Sequence, residues 1–453
     1  AKLAIALTCG VFFIAGCTLF LRDFRVFAIF TMIVFIHVQL NFFLLHKPPP
    51  ADQFDWDPFL SGIELGSVDI VLSILYALWF AEVSFSRRGA RPTLGGPLGP
   101  MILLYALHSL LVGFFLAPRF DYAYFEVIVL MKGFLLYLYL VNKTDTFREL
   151  RVLVYGLYAG AVAHSLFMIG QFVTRQNYTL KGVYYPVKGL EGFRSGGFFG
   201  GNEATSQMLA YTVPLAMGYH FFAAPREHRW LSMLGILTII LGVMTTQYRS
   251  AGLSVFIGVV TFMVVAGIRG HLTKQQVLRL AALGSGFVIL ISPLVMWRFE
   301  VGTGTELRGP LMETAEQMIW DNWVNGVGPA NYMFRMEEYV PVHLRQTWRY
   351  TVHNEYMLQL AERGFFGAGG YYLILLVAAF KFWRASRSLD PWVAMVSIGF
   401  FSSIIGSLFH RFTTIYHFPE FWIFSSVVFA LATLTDNYVR RQAQTSDVPL
   451  NPG

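Results

Sequence analysis

Val352-His353-Asn354-Glu355-Tyr356 and, a little further on, Glu362-Arg363-Gly364-Phe365-Phe366-Gly367 end the longest polar segment of the chain, residues 297–367. Together they form the pattern His-Asn, nine residues, Gly-x-x-Gly. The sequence on both sides is hydrophobic, so this segment is a long connection between apolar stretches. Such connections in compact proteins are usually functional or disordered. This one contains Phe, Tyr and Trp throughout, and we expect it to form an active-site loop outside the membrane.

The composition predicts the class of protein. The chain has 453 residues, of which 55% are hydrophobic, 17% aromatic and only 13% charged, and its mean hydropathy is +0.52. Soluble domains carry roughly 25% charged residues. We therefore expect an all-α polytopic membrane protein. The two cysteines, Cys9 and Cys17, lie in the first apolar run and offer no disulfide framework.

Apolar runs of about 20 residues are long enough to cross the hydrocarbon core as helices. The sequence contains about thirteen such runs, which predicts roughly 12–14 transmembrane helices. They cover residues 3–21, 24–45, 63–85, 98–117, 121–141, 150–173, 203–222, 230–247, 252–268, 277–296, 364–383, 392–409 and 418–435.

Basic residues in the short connections predict the orientation, because an excess of Lys and Arg in short loops marks the cytoplasmic side. The net charge of +7 therefore indicates topology, and we see no nucleic-acid-binding motif. The basic residues fall in alternate connections: Arg22, Arg25, Arg87, Arg88, Arg91, Lys143, Arg148, Arg151, Arg226, Arg229, Arg269, Lys274, Arg279, Lys381, Arg384, Arg387, Arg440 and Arg441.

The runs and loops divide the chain into successive parts. The long loop contains a set of apolar residues at helical spacing, which predicts an amphipathic helix inside it: Leu311, Met312, Ala315, Met318, Ile319 and Trp323. The predicted parts are N-terminal transmembrane helices (1–173), an extracytoplasmic loop (174–202), central transmembrane helices (203–296), a long active-site loop (297–353), C-terminal transmembrane helices (354–441) and a disordered cytoplasmic tail (442–453).

Two arginines run against the orientation rule. Arg194, in Phe193-Arg194-Ser195-Gly196-Gly197, and Arg249, in Tyr248-Arg249-Ser250-Ala251-Gly252-Leu253, lie on the predicted outer side. An arginine fork binds phosphate through two hydrogen bonds and keeps its charge. The alternative for each is snorkelling from a helix end into the interface. Small neighbours around both arginines favour the close approach of a bulky head group.

His353 is the candidate base. An unperturbed imidazole titrates near pH ~6.5, so it can accept a proton at the outer surface. The alternative is a histidine that only caps the following helix together with Asn354. His37, His108 and His164 lie in spans and are expected to be packed there, and Glu126 and Lys132 are expected to face the interior of the protein.

The same residues resemble a known family. His353-Asn354 with Gly364-x-x-Gly367 is similar to the signature of bacterial O-antigen ligases, and Arg249-x-x-x-Leu253 is similar to their second short motif. Gly326-Val327-Gly328-Pro329-Ala330-Asn331 resembles the loop before the histidine in the wider O-antigen ligase and polymerase superfamily. The Arg194 segment resembles the one before the middle helix. The order of the motifs also matches, over roughly the C-terminal two-thirds of the chain.

The resemblance implies a GT-C-like glycosyltransferase of the bacterial inner membrane, with its active site facing the periplasm. The donor would be a glycan on undecaprenyl diphosphate, and the acceptor would be a hydroxyl of lipid A–core or of another glycan. Transfer would invert the anomeric centre and need neither metal nor cofactor. His353 would be catalytic, Arg194 and Arg249 would hold the diphosphate, and supporting roles would fall to Asn354, Tyr248, Arg308, Arg345 and Arg349.

The count of apolar runs exceeds the twelve spans usual for ligases, which leaves a polymerase of the same superfamily open. A flippase of lipid-linked sugars is the rival class. It should show repeats and discontinuous helices, and the sequence indicates neither of them.

Overall fold

The computed structural model of the chain describes residues 23–38, 41–47, 62–85, 92–144, 146–176, 193–199, 201–278, 282, 308–341, 351–414 and 419–446. The predicted runs 3–21 and 277–296 lie wholly or almost wholly outside these residues. So do Arg345 and Arg349.

Helices make up nearly all of the described chain. Two strands form the one regular exception in the described part, an antiparallel pair in which Asn41 faces Gly66 and His46 faces Gly62. In chain order the elements are α1 (Phe24–His37), β1 (Asn41–His46), β2 (Gly62–Gly66), α2 (Ser67–Phe85), α3 (Leu98–Leu116), α4 (Phe120–Lys143), α5 (Phe147–Thr174), α6 (Asn202–Gly218), α7 (Arg229–Thr245), α8 (Arg249–Ile268), α9 (Arg308–Asp321), α10 (Tyr332–Tyr339), α11 (Glu355–Ala385), α12 (Pro391–His410) and α13 (Pro419–Ser446).

Nine helices in the described residues are long and apolar enough to cross a membrane. They are α2, α3, α4, α5, α7 with the turn before it, α8, α11, α12 and α13. Each corresponds to a predicted run, so the protein is an all-α polytopic membrane protein.

Two predictions about the ends of the chain need correction. The run 24–45 is not one span, because α1 ends at His37 and β1 follows; the 14-residue α1 is too short to cross the hydrocarbon core. The predicted disordered tail begins too early, because α13 continues as helix to Ser446. The rest of the predicted tail, 447–453, lies outside the described residues.

Helix α6 lies at the centre of the bundle. Its polar residues Thr205, Ser206, Gln207 and Thr212 are all buried. Because they contact protein and not lipid, this helix can be less apolar than the helices around it. It packs against α7, α8 and α12 and continues into a π-helical turn, Tyr219–Ala223.

Small residues let the central helices approach closely. A Cβ at Gly399 of α12 would lie 2.8 Å from Leu215 Cα on α6, and a Cβ at Gly406 would lie 2.5 Å from the Ser254 carbonyl oxygen on α8. Close packing through small residues is a main source of helix association in membranes.

One end of the bundle collects the basic turns, and we call it the basic end. Arg148 pairs with Asp23 at 2.6 Å, and the Arg151 guanidinium lies 5.0 Å from the ring of Trp392. These contacts bring the start of α5 together with the starts of α1 and α12. The other members of the basic end are Arg25, Lys143, Arg269, Lys381, Arg384 and the buried Asp436.

At the opposite end, α11 is broken at Gly364. The φ of 61° and ψ of −169° there are not helical and belong to a region that only glycine adopts readily. The loop between α9 and α10 fills the break. Val327 and Gly328 donate their N–H groups to the carbonyls of Ala361 and Glu362, both at 2.9 Å, and Phe365 donates to Trp323 at 2.7 Å.

The Gly-x-x-Gly pattern therefore has a packing reason. A Cβ at Gly364 would lie 2.3 Å from the Val324 carbonyl carbon, and one at Gly367 would lie 2.9 Å from His108 Cε1. Glycine at 364 lets the loop lie directly on the break, and glycine at 367 lets α11 approach His108 of α3 closely. The break separates a short helix, starting at Glu355, from the spanning part of α11.

Candidate functional site

Several segments from distant parts of the sequence meet at the end of the bundle opposite to the basic end. They are the segment around Arg194, the first turn of α6, the α7–α8 turn, the start of α9, the start of α11 and the turn after α12. The predicted amphipathic helix is α9, with Leu311, Thr314, Ala315 and Met318 buried. Met312 and Trp323, predicted on the same apolar face, are exposed instead, and Trp323 lies beyond the end of the helix at Asp321.

His353 immediately precedes α11, and its ring contacts the backbone of a residue close to it in sequence. Its Nδ1 lies 3.0 Å from the carbonyl oxygen of Thr351. A carbonyl can only accept, so Nδ1 carries the proton in this contact and Nε2 is the free, basic nitrogen of the neutral ring. The side chain is 31% exposed, so the protein covers the ring only in part.

The carboxylate of Glu203 lies beside this nitrogen. Glu203 Oε1 is 3.7 Å from His353 Nε2 and its side chain is only 13% exposed. The Tyr248 hydroxyl donates to Oε1 at 3.0 Å, and the Thr414 hydroxyl donates to Oε2 at 3.5 Å. The carboxylate is thus oriented by hydroxyls from two other segments.

Tyr248 connects the site to the candidate arginines. Burial raises the pKa of the Tyr248 phenol well above its usual value, and the charge of Glu203 adds to this effect. The phenol therefore keeps its proton and donates to the carboxylate. Arg308, the first residue of α9, is close enough for its charge to act on the same phenol, and Arg249 follows Tyr248 as the first, exposed residue of α8.

Hydrogen bonds hold the Arg194 segment next to the end of α7. Ser195 donates its N–H to the Thr245 carbonyl at 3.1 Å. Gln171 accepts from the Gly197 N–H at 2.9 Å and donates to its carbonyl at 3.2 Å. Because Thr245 ends α7 just before Tyr248, these bonds hold Arg194 near the turn that carries Arg249.

Gly197 has a positive φ of 66°, and a Cβ there would meet His164 Nε2 at 2.1 Å. The same nitrogen accepts from the Phe198 N–H at 3.1 Å. His164 is therefore packed and hydrogen-bonded, as expected for a histidine in a span. His37 is fully buried as well.

Asn354 caps the helix that follows His353. Its side chain accepts from the N–H groups of Tyr356 and Met357, at 3.0 and 3.3 Å. The capping prediction thus holds for Asn354, whereas His353 uses its ring on Thr351. The Glu355 N–H donates to the carbonyls of Arg411 and Thr414, so the start of α11 is tied to the turn that holds Glu203.

A network of buried polar side chains packs against the short helix that follows His353. Arg363 pairs with Glu126, and both side chains are fully buried. Arg363 also donates to Gln359 at 3.1 Å, and Gln359 donates to Glu355 at 2.8 Å. Glu126 faces the interior, as predicted, and so does Lys132, which pairs with Asp69 at 2.7 Å. The network of Glu126, Arg363, Gln359 and Glu355 links the short helix that follows His353 to α4.

The structure thus links His353 and Tyr248 through Glu203, with Arg308 near the same phenol. The segments that carry Arg194 and Arg249 lie next to this group. Sequence reasoning missed Glu203 and Thr414. The usable signal for Glu203 was its place in the first turn of a helix directly after the glycine-rich Arg194 segment. Among the described residues, no group of three or more His, Cys, Asp and Glu side chains could hold a metal ion.

One family model matches a part of the chain that includes several of these residues. Residues 230–372 match the family model described as O-antigen ligase. The match covers less than half of the chain but includes Arg249, Arg308, His353 and the break at Gly364. No curated protein matches the sequence significantly.

Proposed function

We infer the function from the premise that this chain belongs, over residues 230–372, to the O-antigen ligase family. We propose that it is a glycosyltransferase that moves a glycan from undecaprenyl diphosphate to a hydroxyl group. In the ligase form of the proposal, that hydroxyl belongs to lipid A–core.

One observation carries the proposal: the partly exposed ring of His353, whose Nδ1 is held by a backbone carbonyl. The Nδ1 contact with Thr351 selects the tautomer in which Nε2 can accept a proton. A sugar hydroxyl is a weak nucleophile at neutral pH, whereas a lipid diphosphate is already a good leaving group. A base at the acceptor is therefore the assistance that this transfer needs most.

In the proposed reaction, the acceptor oxygen attacks the anomeric carbon of the donor. The new C–O bond forms as the bond to the diphosphate breaks, and the leaving diphosphate takes that electron pair. The hydroxyl proton passes to His353 Nε2. A single displacement of this kind inverts the anomeric centre.

We propose that arginines bind the diphosphate of the donor. Arg194, Arg249 and Arg308 come from three separate segments that converge on the corner of His353. Guanidinium groups bind phosphate oxygens through paired, charge-assisted hydrogen bonds. We propose that Arg194 and Arg249 hold the diphosphate and that Arg308, with Arg345 and Arg349 of the same loop, supports it.

The charge distribution supports an extracytoplasmic site. The basic turns gather at the end opposite to His353, and such turns mark the cytoplasmic face. We therefore propose that the protein lies in the inner membrane of a bacterium with His353 facing the periplasm.

A polymerase of the same superfamily is the alternative, with a second lipid-linked glycan as the acceptor. The same corner could serve either acceptor, since the base and the diphosphate site are common to both. A flippase is a weaker candidate, because moving a lipid across the membrane needs no base at the acceptor.

The glycans of a strain that lacks this protein distinguish these activities. Mass spectrometry should find intact lipid-linked polymer and no glycan on lipid A–core if the protein is a ligase. Products with a single repeat unit would indicate a polymerase. Precursor trapped on the cytoplasmic side would contradict the proposal and indicate a flippase.

A further inference from the structure

Glu203 is a buried carboxylate aimed at the candidate base. The approach of Oε1 to His353 Nε2, 3.7 Å, is too long for a hydrogen bond. The neutral ring has no proton on Nε2 to give, because Nδ1 carries it towards Thr351. The carboxylate therefore lies beside a lone pair and not beside a donor.

The situation changes when Nε2 takes a proton. The new N–H can then reach Oε1 in a charge-assisted bond of about 2.7–2.9 Å, a contraction of roughly 1 Å from the distance in this structure. The interaction is weak before proton transfer and strong after it. Interactions that strengthen along the reaction are the ones that raise its rate.

We propose that Glu203 is a positioning residue for His353, an anion that stabilises the imidazolium formed as the acceptor hydroxyl loses its proton. This inference rests on the proposed function, in which His353 is the base. The proton stays on His353 Nε2, and Glu203 acts only through its charge.

The surroundings of Glu203 fit an anion better than a base. Tyr248 and Thr414 each direct a hydroxyl at one of its oxygens, and Gln207 donates to Thr414 at 3.4 Å. These bonds hold the carboxylate in place at a side-chain exposure of 13%, less than half that of His353. The more accessible group of the pair is the imidazole.

Other charged or titratable groups face the same corner. These neighbours are Tyr248 and Arg249 of the α7–α8 turn, Arg308 of α9, Glu355 of α11, and His410 and Arg411 at the end of α12.

The test uses Glu203→Gln, which keeps the shape of the side chain and removes its charge. Diethylpyrocarbonate reacts with neutral imidazole, so peptide-resolved mass spectrometry can follow the modification of His353 as pH changes. Without the carboxylate, the ring is harder to protonate. The pH of half-maximal modification should therefore move to lower values, and single-turnover transfer should fall about 10- to 100-fold, the worth of one charge-assisted bond.

Glu227→Gln is the matched control, because Glu227 is exposed in the turn before α7 at the far end of the bundle. It should leave both readouts unchanged. An unshifted His353 profile in a folded Glu203→Gln protein, as judged by its melting temperature, would overturn the inference. A shifted profile together with wild-type transfer would instead count against His353 as the base, so failure of the proposed function is distinguishable.

Discussion

At the scale of single residues, the proposed proton transfer depends on where protons and charges lie around His353. The backbone carbonyl of Thr351 selects the tautomer, the protonated phenol of Tyr248 orients Glu203, and Arg308 lies near the same phenol. Except for Thr351, these residues are far from His353 in the sequence. The chemistry therefore depends on the folded bundle and not on the His-Asn dipeptide alone.

Arg249→Lys tests the proposed diphosphate site. Lysine keeps the charge but loses the paired hydrogen-bonding geometry of guanidinium, and the loss of one charge-assisted bond costs about 1.5–3 kcal/mol. The affinity for purified lipid-linked donor should fall about 10- to 100-fold, and Arg194→Lys should behave in the same way. Arg226→Lys, at the basic end, is the control. Normal donor affinity in both test variants would remove these arginines from the site.

At the scale of elements, the break in α11 is the feature that shapes the site. A continuous helix would carry its hydrogen bonds through Gly364 and leave no place for the loop at Gly326. The break exposes carbonyls that Val327 and Gly328 satisfy, and buried backbone groups in a membrane protein need such partners. The short helix behind His353 is held at one end by this loop and at the other by its Asn354 cap.

Gly364→Ala tests the role of the break. Alanine would be strained at this φ and ψ, which costs about 1–3 kcal/mol, and its Cβ would also overlap Val324. The melting temperature of the purified protein should drop by several degrees. Gly369→Ala lies in the same helix with open space around it and should be neutral or slightly stabilising. Equal melting temperatures for the two variants would contradict the packing explanation.

Sequence periodicity predicted the elements better than the site. Long apolar runs signal spans directly, and within the described residues nine of them correspond to helices long and apolar enough to cross a membrane. The hairpin of β1 and β2 was missed because Asn41–His46 is apolar and joins the preceding run without a break in hydropathy. The role of Glu203 was missed because its partners Tyr248, Thr414 and His353 are far away in sequence, and a single sequence does not reveal such contacts.

At the scale of the whole molecule, charge divides the bundle into two unlike ends. Ion pairs with Asp23, Glu82, Glu149 and Asp436 hold the basic turns at one end. The other end gathers His353, Glu203 and the arginines that the orientation rule does not explain. This separation suits an enzyme that takes a lipid-linked substrate from the membrane and reacts at one face.

The proposed orientation can be measured with single cysteines in a variant lacking Cys9 and Cys17. Glu313→Cys, on the exposed face of α9, should react with a membrane-impermeant thiol reagent in intact spheroplasts. Leu389→Cys, at an exposed position in the turn between α11 and α12, is the matched site at the basic end and should react only after lysis. The reverse pattern would place His353 in the cytoplasm and contradict the proposal.

The central claim is that His353 is the general base, and single-turnover transfer from purified lipid-linked donor by His353→Gln, followed across pH, tests it most directly. Glutamine can hydrogen-bond but cannot take the proton. The rate should fall about 10²- to 10⁴-fold with donor affinity retained, and the loss of rate at acid pH seen in the wild type should disappear. His228→Gln, exposed at the basic end, should behave like the wild type. A near-normal rate for His353→Gln, with the wild-type pH profile, would contradict the account.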